Sequence, residues 1–283
     1  MNRREMLRVL VAAVPLPAAT GIFRRADRTS RTAETAITIG LQLYTVRDAM
    51  ARDFEGTLAR VAQIGYREVE FAGYFDRSAA AVRAALDAAG LRAPSAHIGL
   101  ELLDDRWRTT LEDARRIGHL HLVVPWVPEA QRRTLDDYRR LAARLNRAGE
   151  RSRAAGIGLA YHNHAFELEA LDGTRPYDVL LEECDPSLVA MQMDVYWLTK
   201  GGADPLAYFT RHRGRFLMIH AKDTAGPPVH EMVDVGRGVI DWRAVLNAAE
   251  RAGVRRAFVE HDNPPDAFAT ARAGYQFLTA LER

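Results

Sequence analysis

Four apolar runs in the C-terminal half of the chain each end in a side chain that binds metals well. Ile157-Gly158-Leu159-Ala160-Tyr161 runs into His162, Leu188 to Met193 into Asp194, Phe216 to Ile219 into His220, and Ala257 to Val259 into Glu260. The gaps between these residues are 32, 26 and 40 positions, about the length of successive strand–helix units. Polar residues at the C-terminal ends of consecutive parallel strands share one mouth in an α/β barrel, where such folds keep their chemistry. Two imidazoles and two carboxylates there suit one divalent metal, Mn²⁺ first, with Zn²⁺, Co²⁺ or Fe²⁺ as alternatives. Ca²⁺ would want more oxygen ligands. Strand five ends Tyr161-His162-Asn163-His164, and residues two apart on a strand share a face. His162 and His164 therefore compete for the ligand role, and the other is left to bind substrate or move a proton.

Around these residues lie further candidates. Glu167 follows closely enough to orient one histidine or to contact substrate. Glu70 and His97 end strands two and three, Trp126 follows strand four, and Trp197 follows Asp194. Aromatic walls with scattered polar groups suit a sugar ring, whose apolar faces stack while its hydroxyls bond at the edge. His121, Trp107 and Trp242 read as structural. Only two lysines occur, Lys200 and Lys222, so nearly all of the 39 basic residues are Arg. A Lys two residues after His220 marks a place for a compact ammonium.

The elements that must position these residues follow from periodicity. Strand one is Ile37 to Tyr44; strand two is Arg67 to Phe71; strand three is Leu91 to His97; strand four is Leu120 to Val124. Helical spacing covers Phe54 to Ile64, Ala79 to Ala89, Leu111 to Ile117 and Thr134 to Ala155, several closed by Gly. Helices over Pro176 to Glu183, Pro205 to Arg211, Trp242 to Arg251 and Ala267 to Leu281 separate and follow strands five to eight. Eight strand–helix alternations in about 250 residues predict an α/β chain with a single (β/α)8 TIM barrel. The position after strand one reads Gln42-Leu43-Tyr44-Thr45-Val46-Arg47-Asp48, without the glycines of an open dinucleotide-binding sheet.

Residues 1–35 read as a separate signal and linker, and 36–283 as the barrel. Arg3-Arg4 followed by Met6-Leu7 and an apolar stretch from Val9 to Ala19 fits a twin-arginine export signal, and hence a periplasmic or exported protein. That stretch is too short for stable membrane insertion. Of 39 basic and 37 acidic residues, the first 35 positions hold seven and three. The remaining 32 and 34 give a net of −2, which offers nucleic acid no general attraction. Cys184 is the only cysteine, so no intrachain disulfide forms.

The chain resembles the xylose isomerase-like TIM barrel superfamily of sugar phosphate isomerases and epimerases. The matching stretches are Gly40-Leu41-Gln42-Leu43-Tyr44, Gly65 to Glu70, Ser95-Ala96-His97, Tyr161-His162-Asn163-His164, Met193-Asp194, Ile219-His220-Ala221-Lys222-Asp223, Gly236-Arg237-Gly238 and Val259-Glu260. The resemblance implies one divalent metal held by Glu, Asp, His and Glu from strands five to eight. Asp194, His220 and Glu260 match the last three; His162 stands where the family has Glu. The epimerases move protons with two carboxylates on opposite substrate faces, and here one of the two is an imidazole. The expectation is a metal-dependent isomerase or epimerase that abstracts a proton α to a carbonyl through an enediolate. Glu260 or His164 is the expected base, and Lys222 the electrostatic aid to the developing oxyanion. A 3-keto-glycoside lyase of the same fold is the alternative, and a non-catalytic sugar-binding barrel a third. A DNA-repair role would need a larger zinc cluster and fits neither the charge nor the export signal.

Overall fold

The computed structural model describes residues 37–281. The expected signal and linker lie outside them. Barrel strands alternate with helices: β1 (Thr38–Gln42), α1 (Arg47–Arg52), α2 (Phe54–Ile64), β2 (Glu68–Phe71), α3 (Ala79–Ala89), β3 (Arg92–His97), α4 (Trp107–Ile117), β4 (His121–Val124), α5 (Leu135–Ala154) and β5 (Gly158–His162). The second half continues with α6 (Pro176–Glu183), β6 (Val189–Asp194), α7 (Val195–Lys200), α8 (Pro205–Arg211) and β7 (Phe216–Ala221). A two-residue pair, β8 (Asp223–Thr224) and β9 (Met232–Val233), precedes α9 (Trp242–Ala252), β10 (Arg256–Val259) and α10 (Ala267–Leu281). Eight parallel strands close in the order β1-β10-β7-β6-β5-β4-β3-β2. Among the described residues no helix is long and apolar enough to cross a membrane.

Three local features differ from the sequence reading. β1 stops at Gln42 rather than Tyr44, because the Gln42 side chain accepts from the Tyr44 N–H and turns the chain into a 3-10 segment, Leu43–Val46. The helix before β4 begins at Trp107 rather than Leu111. The short helix α1 carries no Pro or Gly punctuation, and α7 is bounded by Gly201 at its end and by Asp194 at its start, which caps it through the Trp197 N–H at 2.9 Å.

Strand alternation stacks the barrel interior in layers. Val123, Ala160, Met218 and Phe258 form an apolar layer. Phe258 reaches across it, and a Cβ on Gly40 would meet its ring at 2.6 Å. Gly40 is therefore needed for room rather than for backbone freedom. One pleat further along, the inward residues turn polar. Register makes them lateral neighbours: Gln42 pairs with Glu70, Glu70 with Ser95, His162 with Gln192, and Asp194 with His220.

Candidate active site

This polar layer floors a cavity of about 970 Å³ at the C-terminal mouth. Its deepest member is Glu70, fully buried at the end of β2. Its carboxylate receives Gln42 Nε2 at 2.8 Å, Gln192 Nε2 at 2.8 Å, His220 Nε2 at 2.6 Å and the Ser95 hydroxyl. His97 Nε2 lies 3.2 Å away. Burial would raise this carboxyl; attraction to His97 and His220 outweighs it and holds Glu70 well below the usual carboxylate range. Glu70 does not line the cavity. Glu70, read from the sequence as a substrate contact, instead hydrogen-bonds His220 from outside the cavity lining.

His220 bridges two carboxylates, with Nδ1 at 2.6 Å from Glu260 Oε2 as well. Burial disfavours its charge, but Glu260 and Glu70 together raise its pKa to about 10. Lys222 is buried too, and its Nζ sits 2.8 Å from Asp262 Oδ1, 2.9 Å from Glu260 Oε2 and 3.2 Å from Asp194 Oδ2. These carboxylates outweigh the cost of burial and push the ammonium well above its ordinary pKa. Burial raises Asp194 to about 6 despite Lys222 and His220. Glu260, with Lys222 and His220 on one oxygen, overcomes burial and falls well below the usual range.

The donor set is one that holds a divalent cation. Ligand atoms of Asp194, His220 and Glu260 lie within 4.8 Å of one another, as do those of His97, His162 and His220. Asp194 Oδ2 is buried without a hydrogen-bond partner; Lys222 Nζ is near enough for ion pairing only. Glu70, Asp194, Glu260 and Asp262 face the two cations Lys222 and His220, which leaves a local excess of negative charge. His220 Nε2 on Glu70 is the carboxylate–histidine arrangement that orients a metal ligand, leaving Nδ1 as the nitrogen to offer. The residues fit the group.

A family model described as xylose isomerase-like TIM barrel matches residues 58–281. The chain belongs to the xylose isomerase-like TIM barrel family. An inosose dehydratase of Lacticaseibacillus casei is 31% identical over 136 residues, 42% of this chain and 45% of that protein. The match thus spans less than half of that relative's length. An inosose dehydratase of Geobacillus thermodenitrificans is 24% identical over 242 residues, 73% of this chain and 80% of that protein. A solved sugar phosphate isomerase/epimerase of Parabacteroides distasonis superposes with a TM-score of 0.76 at 25% identity, covering 89% of this chain and 96% of that one.

Within this xylose isomerase-like barrel, each member of Tyr161-His162-Asn163-His164 has its own task. Tyr161 donates to Glu167 at 2.5 Å, and His162 faces Gln192 and Asp194 inside the barrel. Asn163 latches β5 to β6 by accepting the Asp194 N–H at 3.0 Å. His164 lines the cavity beside Trp126 and Trp197, with ring centroids 5.3 and 5.5 Å away. His97, Trp126 and Trp197, the substrate contacts expected from the sequence, line the cavity as well. Glu167 does not. It is fully buried, accepts the His164 N–H at 2.7 Å, and holds that histidine's backbone. Asp262 is a site residue the sequence reading misses. Its only signal is the polar run Glu260-His261-Asp262-Asn263, which Arg47 holds through the Asp262 carbonyl at 2.7 Å.

Burial raises Glu167 to about 8, against the hydrogen bonds from Tyr161 and His164. The folded chain keeps a proton that the unfolded chain releases at the ordinary carboxylate pKa. Stability from this group is therefore complete at low pH and is lost as pH rises towards 8. Glu167→Gln, which mimics the protonated form, is expected to gain on the wild type by up to about 1.4 kcal/mol per pH unit in that window. Urea melts of both proteins from pH 5 to 9 measure the difference; parallel curves would refute a neutral Glu167.

The motif pair Lys222-Asp223 divides its labour. Asp223 is fully buried and accepts Thr224 N–H (2.8 Å), Gly236 N–H (2.9 Å), Gly238 N–H (3.3 Å), Ile240 N–H (3.3 Å) and Trp242 Nε1 (2.9 Å). The Gly236-Arg237-Gly238 loop is thus tied to the strand end that carries Lys222. Asn can offer these donors only one oxygen, so Asp223→Asn should cost about 2–3 kcal/mol in a urea melt. An unchanged midpoint would make the five contacts energetically idle.

Proposed function

We propose that this protein abstracts a proton α to the ketone of a keto sugar and then eliminates the β substituent, as a dehydratase or lyase. The observation that carries this reading is His164. Among the described residues it is the one cavity-lining histidine with no hydrogen bond at either ring nitrogen; the other two are tied to Gln192. Burial, with Lys222 next, lowers its pKa to about 3 and keeps it neutral. Its basicity rises as negative charge develops on the substrate beside it.

His164 takes the α proton, and the C–H electron pair forms the enediolate. Lys222, across Trp197 with Nζ 5.9 Å from that ring's centroid, stabilises the growing negative charge. Collapse of the enediolate forms the C=C bond and breaks the β C–O bond. The imidazolium of His164 then returns its proton to the departing oxygen, so one group serves both steps. Asp194, His220, Glu260 and His162 would hold the divalent metal. Bound there, it supplies Lewis acidity to the carbonyl and a neighbouring hydroxyl.

Elimination moves ahead of the isomerase reading because one imidazole and one tightly paired carboxylate do not make the two opposed carboxylates of an epimerase. The dehydratase names of the sequence relatives support the same order. Epimerisation is the second reading, favoured by the likeness to the Parabacteroides distasonis protein at 25% identity. Keto sugars incubated in D₂O with Mn²⁺ separate the two. Ultraviolet absorbance of an unsaturated ketone is the expected result; deuterium uptake with inversion and no unsaturated product would replace it with the epimerase. Binding without exchange would leave the sugar-binding barrel. The N-terminal Arg3-Arg4 motif supports export as part of this proposal, and a periplasmic fraction probed by immunoblot tests it.

A further inference from the structure

We infer that Gln192 sets the tautomer of His162, and so decides which nitrogen of that ring is free to bind a cation. A glutamine amide can sit either way round, and its neighbours decide which. The chain of constraint starts at Gln42. Its Oε1 accepts the Tyr44 backbone N–H at 3.1 Å, which turns its Nε2 towards Glu70 at 2.8 Å. The Glu70 carboxyl is ringed by donors, with Ser95, His220 and Gln192 hydrogen-bonded to it and His97 Nε2 3.2 Å away. Gln192 must therefore present Nε2 to Glu70, at 2.8 Å.

Its Oε1 is then fixed between two imidazoles, 2.8 Å from His97 Nε2 and 3.1 Å from His162 Nδ1. A carbonyl oxygen has two lone pairs and no proton, so both nitrogens carry hydrogens. With Nδ1 protonated, the neutral His162 ring is bare at Nε2. That nitrogen faces Asp194 Oδ2 at 3.6 Å, the buried oxygen that lacks a hydrogen-bond partner. Lys222 Nζ lies 3.2 Å from the same oxygen without hydrogen-bonding it, and a cation bound between His162 Nε2 and Asp194 Oδ2 would join the two acceptors. No comparable restraint acts on the His164 ring, so the choice between the two histidines falls on His162 Nε2. Gln192 is a positioning residue here; it acts through the histidines.

The consequence rests on the metal proposed above, whereas the tautomer belongs to the protein alone. Long-range proton–nitrogen NMR on the full chain carrying ¹⁵N-histidine, with and without Zn²⁺, tests both. His162 is expected to be protonated at Nδ1 and bare at Nε2, and His97 protonated at Nε2. Zn²⁺ should move the His162 Nε2 resonance while Nδ1 keeps its proton. Gln192→Met, close in shape but without the oxygen, should mix the His162 tautomers and weaken Zn²⁺ binding about 10–100-fold. Gln192→Glu, protonated on the oxygen that faces Glu70 and still an acceptor for His162, should preserve the tautomer. A wild-type His162 protonated at Nε2 overturns the inference, with no variant required. So does a Gln192→Met protein with wild-type tautomers. The expected tautomers without any Zn²⁺ response would sustain Gln192's role and remove the metal instead.

Discussion

Lys222→Met is expected to lower turnover by at least about 100–1,000-fold, the usual loss when one preorganised charge at a developing oxyanion is removed. The side chain is buried among Asp194, Glu260 and Asp262, all within 3.2 Å of Nζ. Methionine fills similar space but leaves three carboxylates facing each other. They would take up protons, and the site would lose both its cation and its field. Lys222→Arg should not restore activity, because the gap between three converging carboxylates suits a compact ammonium and not a planar fork. Rates are to be taken per folded molecule, with circular dichroism as the control. Retention of more than about a tenth of wild-type turnover, set against the expected loss, would take Lys222 out of the chemistry.

Glu70→Leu is expected to destabilise the barrel by about 3–5 kcal/mol, the range for breaking a buried ion pair from one side. Against a whole-domain stability of about 5–15 kcal/mol, that is a large share. The mechanism is the convergence of donors on one fully buried carboxylate. Without it, His220, Gln42, Gln192 and Ser95 lose an acceptor in a layer that water does not reach. Glu70→Gln is the milder control. It keeps the volume but puts an amide nitrogen among donors, which Gln192 can meet only by turning its own amide over. Urea denaturation measures both. A loss below about 1 kcal/mol for Glu70→Leu, well under the buried-pair range, would show that the layer repacks or hydrates, and that Glu70 is not its anchor.

How far the sequence reaches is clearest at the strand ends. The strands before His162, His220 and Glu260 are continuous apolar runs, and the one before Asp194 is broken only by Gln192, because parallel barrel strands are buried on both faces. Each closing polar residue therefore marks a strand end. Helix spans such as Phe54–Ile64, Ala79–Ala89 and Pro176–Glu183 are readable to the residue, because caps, glycines and a leading proline bound them. The turn at Gln42 and the helix after Asp194 are not, because each is started by a side-chain hydrogen bond that no periodicity records.

Residue type alone determined that two histidines, an aspartate and a glutamate would gather at one mouth beside a rare lysine. Only the closed barrel decided what each of them does there. Glu70 reads like a cavity residue, yet its carboxylate is taken up by His220, Gln42, Gln192 and Ser95 and does not line the cavity. Asp262, two residues past the Val259-Glu260 motif, reaches Lys222 at 2.8 Å, a contact that no motif announces. Gln192 looks like an ordinary strand residue until register sets it opposite His162 and across the barrel from Glu70. The reason is physical: a strand's period of two tells which residues point inward, whereas barrel closure brings together side chains 150 positions apart, as in the His220–Glu70 bond.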